Sequence, residues 1–339
     1  MYNYISIEKP KLIDNKVNLG IQLLRVFLCF WVLLYHFCDK YKINYNLFFL
    51  IHHRLFHVPC FSFLSFYYSY NAFFSYNMKY IKKRLVRLLI PFILWPVIAL
   101  IFNNYIIHYE KIITFHELKL QLLVGRQFYV PLWYLFSTLF LTILFYIISK
   151  LCNNHFLLII QFLAIFSYFA QYSYLCNYFI CYKNNVKYPI LDTIRLLPLS
   201  VIGLNFAKSN ILSFFIENQK KSLFFSFLFI IFLFKYDIFI DLKGYGGIIY
   251  IYSSLFLFLG FYLLPFDNLN NHLKRILLLL CNYTNGIYCL HSKVIQILKT
   301  FSGIEGNLKN GIIIYILSYF ISYIGFKFFG KSALKYLFI

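Results

Sequence analysis

The stretch LLRVFLCFWVLLYHF, Leu23 to Phe37, is apolar except for an arginine near its start and a histidine near its end. A helix that crosses a bilayer needs roughly 20 apolar residues, and the flanking residues extend this run to about 20–38. A charged side chain well inside such a helix costs roughly 2.5–3.5 kcal/mol on insertion scales, and it normally faces a cavity or a partner. The sequence therefore predicts a membrane helix in which the polar side chains of Arg25 and His36 must each be accommodated.

The overall composition places the chain in the membrane class. Of its 339 residues, 61% are hydrophobic and 13% are charged, whereas soluble domains carry about 25% charged residues. The formal net charge of +21 fits either a nucleic-acid binder or a membrane protein. A nucleic-acid binder gathers its basic residues on one face, whereas here they form short clusters between apolar runs, as the positive-inside rule predicts. We therefore expect membrane lipid as a partner and no nucleic acid.

Apolar runs of spanning length recur along the whole chain, and polar connections separate them. We predict about ten transmembrane helices, at approximately 20–38, 55–77, 88–107, 128–149, 156–178, 190–207, 222–240, 246–264, 276–297 and 311–329. The predicted fold is thus an all-α polytopic integral membrane protein with a single domain over residues 1–339. The densest basic cluster, KYIKKRLVR from Lys79 to Arg87, falls on the cytoplasmic side when both termini are placed there, so we expect that topology.

Arg25 and His36 lie on one face of the first predicted helix. They are eleven residues apart, which is three turns plus roughly 20°, and about 16 Å along the axis. Asp39 follows one turn after His36 and is placed to orient its imidazole. The alternative is that Arg25 extends to the lipid headgroups and His36 sits at the interface, and spacing alone leaves both interpretations open.

Five segments, in order, resemble the landmarks of a known family. Arg, ten residues and then His in the first span is followed by HVPCFSFLSFYYSY (His57 to Tyr70), KKRLVRLLIPFILW (Lys82 to Trp95), LWYLFSTLF (Leu132 to Phe140) and TNGIYCLHSKVI (Thr284 to Ile295). Together they look like the membrane acyltransferase-3 family, bacterial enzymes that O-acetylate sugars of surface polysaccharides such as lipopolysaccharide. One departure is that Phe66 stands where the family has a glycine, so we expect the packing there to differ.

The resemblance implies an O-acetyltransferase of the inner (plasma) membrane that uses acetyl-coenzyme A as a co-substrate and binds no permanent cofactor. It favours His36 as the catalytic residue, since an imidazole with an ordinary pKa of about 6.5 suits a general base. Arg25 is then expected to contact the donor or the developing negative charge. Arg84, Arg87 and Lys83 are expected to bind the phosphates of the donor, and the alternative for this cluster is topological anchoring on anionic lipid.

The acceptor is expected to be a glycan or a lipid-linked sugar, bound at the outer end of the first span. His291 and Tyr288, in the ninth predicted span, lie at the depth of His36 and are candidate acceptor contacts; an interfacial histidine is the alternative. Trp133 and Tyr134 are candidates for stacking on a sugar, against the default interpretation of a membrane-belt aromatic pair.

The other polar residues of the apolar runs are not assigned to the site. Asp192 and Arg195, three residues apart, are predicted to pair within the sixth span. We expect no metal site, because no carboxylate or thiolate at ligand spacing accompanies His52, His53 and His57. The alternative function is a polysaccharide exporter or flippase without acyl transfer, although the sequence shows none of the repeats that transporters usually carry.

Overall fold

The computed structural model describes residues 18–38, 48, 51, 56–74, 78–106, 115, 132–152, 155–170, 189–208, 211–235, 248–266 and 269–338. Every regular element within these ranges is helical and none is a strand, which confirms the all-α prediction. The thirteen α-helices of these ranges are α1 Leu19–Phe37, α2 His57–Tyr67, α3 Tyr70–Phe74, α4 Met78–Ile101, α5 Leu132–Leu151, α6 Phe156–Ala170, α7 Pro189–Lys208, α8 Ile211–Glu217, α9 Gln219–Lys235, α10 Ile248–Tyr262, α11 Asn271–Asn282, α12 Thr284–Ser302 and α13 Leu308–Phe329. A π-helical turn, Phe102–Ile106, follows α4, and a 3₁₀ turn, Ala333–Leu337, follows α13.

The described part of the chain holds four helices that are long and apolar enough to cross a membrane, as expected of an integral membrane protein. They are Leu19–Phe37, Met78–Asn104, Leu132–Leu151 and Leu308–Phe329, and a fifth span results if the bent pair Asp192–Lys208 and Ile211–Glu217 is counted as one. Further helices, such as Phe156–Ala170, are apolar but shorter. A membrane protein is supported, while the predicted number of about ten spans is not confirmed.

Two helices differ in extent from the predicted spans. The third span is predicted at 88–107, whereas the helix that contains most of it, α4, begins at Met78, so the basic cluster forms the first turns of that helix. Lys and Arg are good helix formers, and hydropathy marks where a helix enters lipid, not where it begins. The ninth span, placed at 276–297, is divided at Tyr283 into α11 and α12.

α1 lies at the centre of the bundle, where it packs against α2, α10, α11, α12 and α13. The first and last described residues lie toward the same end of this bundle. Asn18, the N-cap of α1, donates from Nδ2 to the Tyr262 carbonyl at the end of α10 (3.0 Å). Phe338, after the 3₁₀ turn, lies so close to Gly286 in the first turn of α12 that a Cβ there would be 2.5 Å from its carbonyl oxygen.

Small residues allow α2 and α7 to pack closely. The hydroxyls of Ser62 and Ser200 lie 2.8 Å apart across the interface and are buried. A Cβ at Gly203 would lie 2.5 Å from the carbonyl oxygen of Phe63. Close backbone approach at small residues, with hydroxyls bonded between helices, is how helices associate in the absence of water.

We expect Gly203→Ala to destabilise the protein by about 1–3 kcal/mol, because the new methyl group meets backbone that cannot move aside. Gly260→Ala is the matched control, since a Cβ there would lie 3.4 Å from the flexible end of Ile230. Thermal unfolding in detergent is the measurement. Equal melting temperatures for the two variants would contradict the close packing of α2 on α7.

Candidate active site

Arg25 is held between α1 and the start of α12. Its Nη1 donates to Gln22 Oε1 (3.0 Å) and its Nη2 donates to Thr284 Oγ1 (3.0 Å). The Thr284 hydroxyl in turn donates to the Cys281 carbonyl (3.1 Å), and the Cys29 thiol donates to the Thr284 carbonyl (3.4 Å). Both groups that hold the guanidinium within the described residues are therefore neutral, so its charge remains available to a ligand.

His36 lies against α12 at the other end of α1. Its ring stacks on that of His291, with centroids 5.3 Å apart and planes inclined by 29°. Because Arg25 meets Thr284 and His36 meets a residue two turns further along α12, the two helices run parallel. The structure thus brings the predicted catalytic pair to one seam between two helices. Asp39, expected to orient His36, lies outside the described residues.

His291 is buried, with 1% of its surface exposed. Its Nδ1 lies 3.3 Å from the Ile287 carbonyl oxygen, one turn earlier. A carbonyl oxygen only accepts, so Nδ1 carries the hydrogen and Nε2 is left as an acceptor. Among the described residues, Nε2 has no hydrogen-bond partner.

An aromatic wall continues from the two histidines. Tyr288 lies 6.0 Å from His291 between ring centroids, and Tyr134 lies 5.9 Å from Tyr288. Phe61 closes the group at 6.2 Å from Tyr134 and 6.5 Å from Tyr288. The candidate acceptor contacts His291, Tyr288 and Tyr134 therefore lie together beside His36.

Trp133 adjoins Tyr134, with ring centroids 6.3 Å apart, but packs into a different hydrophobic cluster. It is 6% exposed, and that cluster is formed by α2, α3, α4, α5, α6 and α7. Trp133 and Tyr134 are packed among helices and do not form a lipid-facing belt, and little of the Trp133 ring is accessible to a sugar.

Arg84 and Arg87 have different environments although they are one turn apart. The Arg84 guanidinium makes four hydrogen bonds, from Nε to Thr142 Oγ1 (2.9 Å), from Nη1 to the Ser65 carbonyl (3.2 Å) and Ser69 Oγ (2.6 Å), and from Nη2 to Ser65 Oγ (2.8 Å). Arg87 is exposed, and its guanidinium carbon lies 5.9 Å from the centroid of the Tyr336 ring. Lys83 is exposed as well. Arg84 thus ties α4 to α2 and α5, whereas Arg87 and Lys83 are accessible to a phosphate.

Phe66 shows how the departure from the family pattern is accommodated. The ring is completely buried, with Phe145 at 5.2 Å and Phe73 at 6.3 Å between centroids. The Arg84 guanidinium lies over its face at 4.9 Å, a distance at which a cation is attracted by the ring. The large side chain fills the space beside the buried arginine.

Sequence reasoning missed a second polar cluster on α12. Lys293 Nζ donates to Asn103 Oδ1 (2.6 Å), in the π-helical turn, and to Gln296 Oε1 (2.9 Å). It also missed Thr284, although Thr284, Tyr288 and His291 recur at the spacing of one helix face.

The remaining predicted groups behave as follows. Asp192 and Arg195 form the predicted ion pair at 3.0 Å. His57 is buried, while His52 and His53 lie outside the described residues. Within the described ranges, no three His, Cys, Asp or Glu side chains are grouped as metal ligands.

A scan against protein-family models matches residues 18–327 to the acyltransferase-3 model, described as an acyltransferase domain. The chain belongs to the acyltransferase-3 family. No curated protein and no solved structure matches it. The match extends from the N-cap of α1 almost to the end of α13, so it includes both helices of the histidine seam. Together with the apolar helices, family membership supports a membrane acyltransferase.

Arg84→Lys is expected to lower the thermal stability of this acyltransferase by about 2–4 kcal/mol, because a single ammonium cannot satisfy the four acceptors that Arg84 binds. Arg87→Lys, on the same helix but exposed, is the control and should unfold like the parent protein. Thermal unfolding in detergent distinguishes them. If Arg84→Lys leaves stability unchanged, Arg84 is not the internal cross-link that its hydrogen bonds indicate.

Thr284→Val removes the hydroxyl that holds Arg25 and keeps the shape of the side chain. We expect a loss of donor turnover of at least about tenfold, since one hydrogen bond to a charged group is worth about 1.5–3 kcal/mol. Thr284→Ser keeps the hydroxyl and should retain most of the activity. Steady-state kinetics with a varied concentration of acyl donor is the measurement, and equal losses in the Val and Ser variants would show that the methyl group matters, not the hydrogen bond.

Proposed function

We propose that this acyltransferase moves an acetyl group from acetyl-coenzyme A to a hydroxyl of a cell-surface polysaccharide or of its lipid-linked precursor. The observation that carries the proposal is the seam between α1 and α12, which holds Arg25 at one end and the stacked His36 and His291 at the other. A cation followed along one membrane helix by an imidazole suits acyl transfer, because the reaction needs charge stabilisation and a base.

The donor is proposed to enter at the Arg25 end. Guanidinium carries five N–H donors, and the two hydrogen bonds to Gln22 and Thr284 leave others free for a phosphate or a carbonyl of the donor. The accessible cations Arg87 and Lys83 are suited to the phosphates of coenzyme A. They belong to the same end, because Arg87 lies over Tyr336, and the neighbouring Phe338 packs on Gly286 near Thr284.

The acceptor is proposed to bind at the histidine end. His36 takes the proton of the attacking hydroxyl while the hydroxyl oxygen bonds to the carbonyl carbon of the thioester. The carbon–sulfur bond then breaks, and the coenzyme A thiolate receives the proton from the imidazolium. Arg25, three turns from His36 along α1 and bonded to Gln22 and Thr284, holds the donor at a distance from the reacting carbonyl.

We also propose that the protein resides in the bacterial inner membrane with both termini in the cytoplasm. Two features support this topology. The first and last described residues lie at one end of the bundle, and that end carries the basic first turns of α4, as the positive-inside rule requires. Acetyl-coenzyme A, a cytoplasmic metabolite, would then reach Arg25 directly.

His36→Ala is expected to lower acetyl transfer by at least about 100-fold, since a general base contributes about 10²–10⁴ in rate. The purified protein in lipid nanodiscs is supplied with acetyl-coenzyme A and glycan, and both thiol release and acetylated glycan are measured. The control is His155→Ala, which alters an exposed histidine before α6. Undiminished transfer by His36→Ala would remove His36 from the mechanism, and a parent protein that moves glycan without acetylating it would favour the exporter.

A further inference from the structure

The Nε2 atom of His291 needs a hydrogen-bond donor that the described protein does not supply. The ring is 1% exposed, its Nδ1–H is directed to the Ile287 carbonyl, and Nε2 is buried without a partner among the described residues. A buried acceptor left unpaired is destabilising, so such an atom in a candidate site indicates a ligand group that completes it.

His36 does not supply that donor. The two imidazoles meet face to face, with centroids 5.3 Å apart, and rings that stack do not present an N–H to each other's in-plane nitrogen lone pair. The reacting end of a thioester does not supply it either, because its carbonyl and sulfur only accept. The group of the reaction that can donate at this position is an O–H of the acceptor.

A single hydroxyl has a single hydrogen. Under the proposed function, on which this inference rests, the hydrogen of the attacking hydroxyl goes to His36, so the hydrogen bonded to His291 belongs to a second hydroxyl. Two hydroxyls that each reach about 2.8 Å to a nitrogen of rings whose centroids lie 5.3 Å apart fit neighbouring positions on the acceptor.

We propose that His291 is a specificity residue that accepts a hydrogen bond from a hydroxyl adjacent to the one being acetylated, so that the acceptor is a vicinal diol of a sugar. Only the attacking hydroxyl loses its proton, to His36; the second hydroxyl keeps its own and holds the sugar in position. A sugar whose neighbouring hydroxyl is already substituted or absent leaves the buried Nε2 unpaired and is rejected. Sites built to bind a hydroxyl discriminate strongly against analogues that lack it.

The experiment uses the full-length protein in nanodiscs with saturating acetyl-coenzyme A. The acceptors are methyl glycosides of glucose, galactose and mannose, and NMR of the product locates the acetylated position. Deoxy analogues that lack each adjacent hydroxyl are then compared with the parent sugar. We expect one adjacent deoxy substitution to lower kcat/KM at least about tenfold, the equivalent of one hydrogen bond.

Variants of His291 test whether the lower kcat/KM for a deoxy sugar is due to this residue. His291→Leu should transfer to the parent and deoxy sugars at the same reduced rate, with the KM for acetyl-coenzyme A unchanged. His291→Gln, whose amide oxygen can accept in place of Nε2, should recover part of the preference. Ser292→Ala, at the next position of α12, is the control and should behave like the parent protein.

The outcomes separate the two proposals. Transfer by the parent protein that does not depend on any adjacent hydroxyl overturns the diol inference, even if His291→Leu does not fold, and leaves the acetyltransferase proposal standing. A sugar preference that persists in a folded His291→Leu variant assigns the contact to another residue and also overturns it. Thiol release without acetylation of any glycoside contradicts the proposed function itself.

Discussion

A guanidinium enclosed by neutral groups in a membrane bundle is the constraint on which the rest of this structure depends. Arg25 has hydrogen bonds to Gln22 and Thr284, and neither removes its charge. A cation at such a depth is tolerated only where helices or a water-filled space surround it. That requirement places the start of α12 against α1, and the parallel course of the two helices then brings His291 onto His36.

Arg25 and Arg84 are both enclosed among helices, and their environments show how one residue type serves two purposes. Arg84 has its donors occupied by hydroxyls and a carbonyl from two neighbouring helices, with an aromatic ring below. Such a group is a cross-link, and replacing one partner leaves others unpaired. Arg25 has fewer bonds and adjoins the histidine seam, so it is the one suited to meet a substrate. The number of hydrogen bonds within the protein, more than burial, thus distinguishes the structural arginine, Arg84, from the one suited to bind a substrate, Arg25.

The fold class and part of the site can be predicted from the sequence, because they depend on patterns of residues that are close together along the chain. An i,i+3 carboxylate and guanidinium predicted the Asp192–Arg195 pair, and the spacing of Arg25 and His36 predicted that they share a face of the first helix, although it left open whether that face turns inward. Thr284 could not be found as the partner of Arg25, because it lies 259 residues away and threonine is unremarkable in a membrane helix. The internal position of Arg84 could not be predicted either, because its acceptors are a backbone carbonyl and hydroxyls, which carry no charge that would identify them in the sequence. The first turns of α4 lie outside the predicted span, because hydropathy indicates which residues contact lipid and not where the hydrogen bonds of the helix begin.

The distance along the chain between Arg25 and its partner has a consequence for biogenesis. A ribosome delivers α1 to the membrane long before Thr284 is made, so the first helix must be inserted while its cation has Gln22 of the same helix, but not Thr284, as a hydrogen-bond partner. The insertion cost of roughly 2.5–3.5 kcal/mol is then offset mainly by the leucines, phenylalanines and other apolar residues of α1 itself. The many large apolar side chains around Arg25 thus allow α1 to insert during synthesis, before its contact with α12 can form.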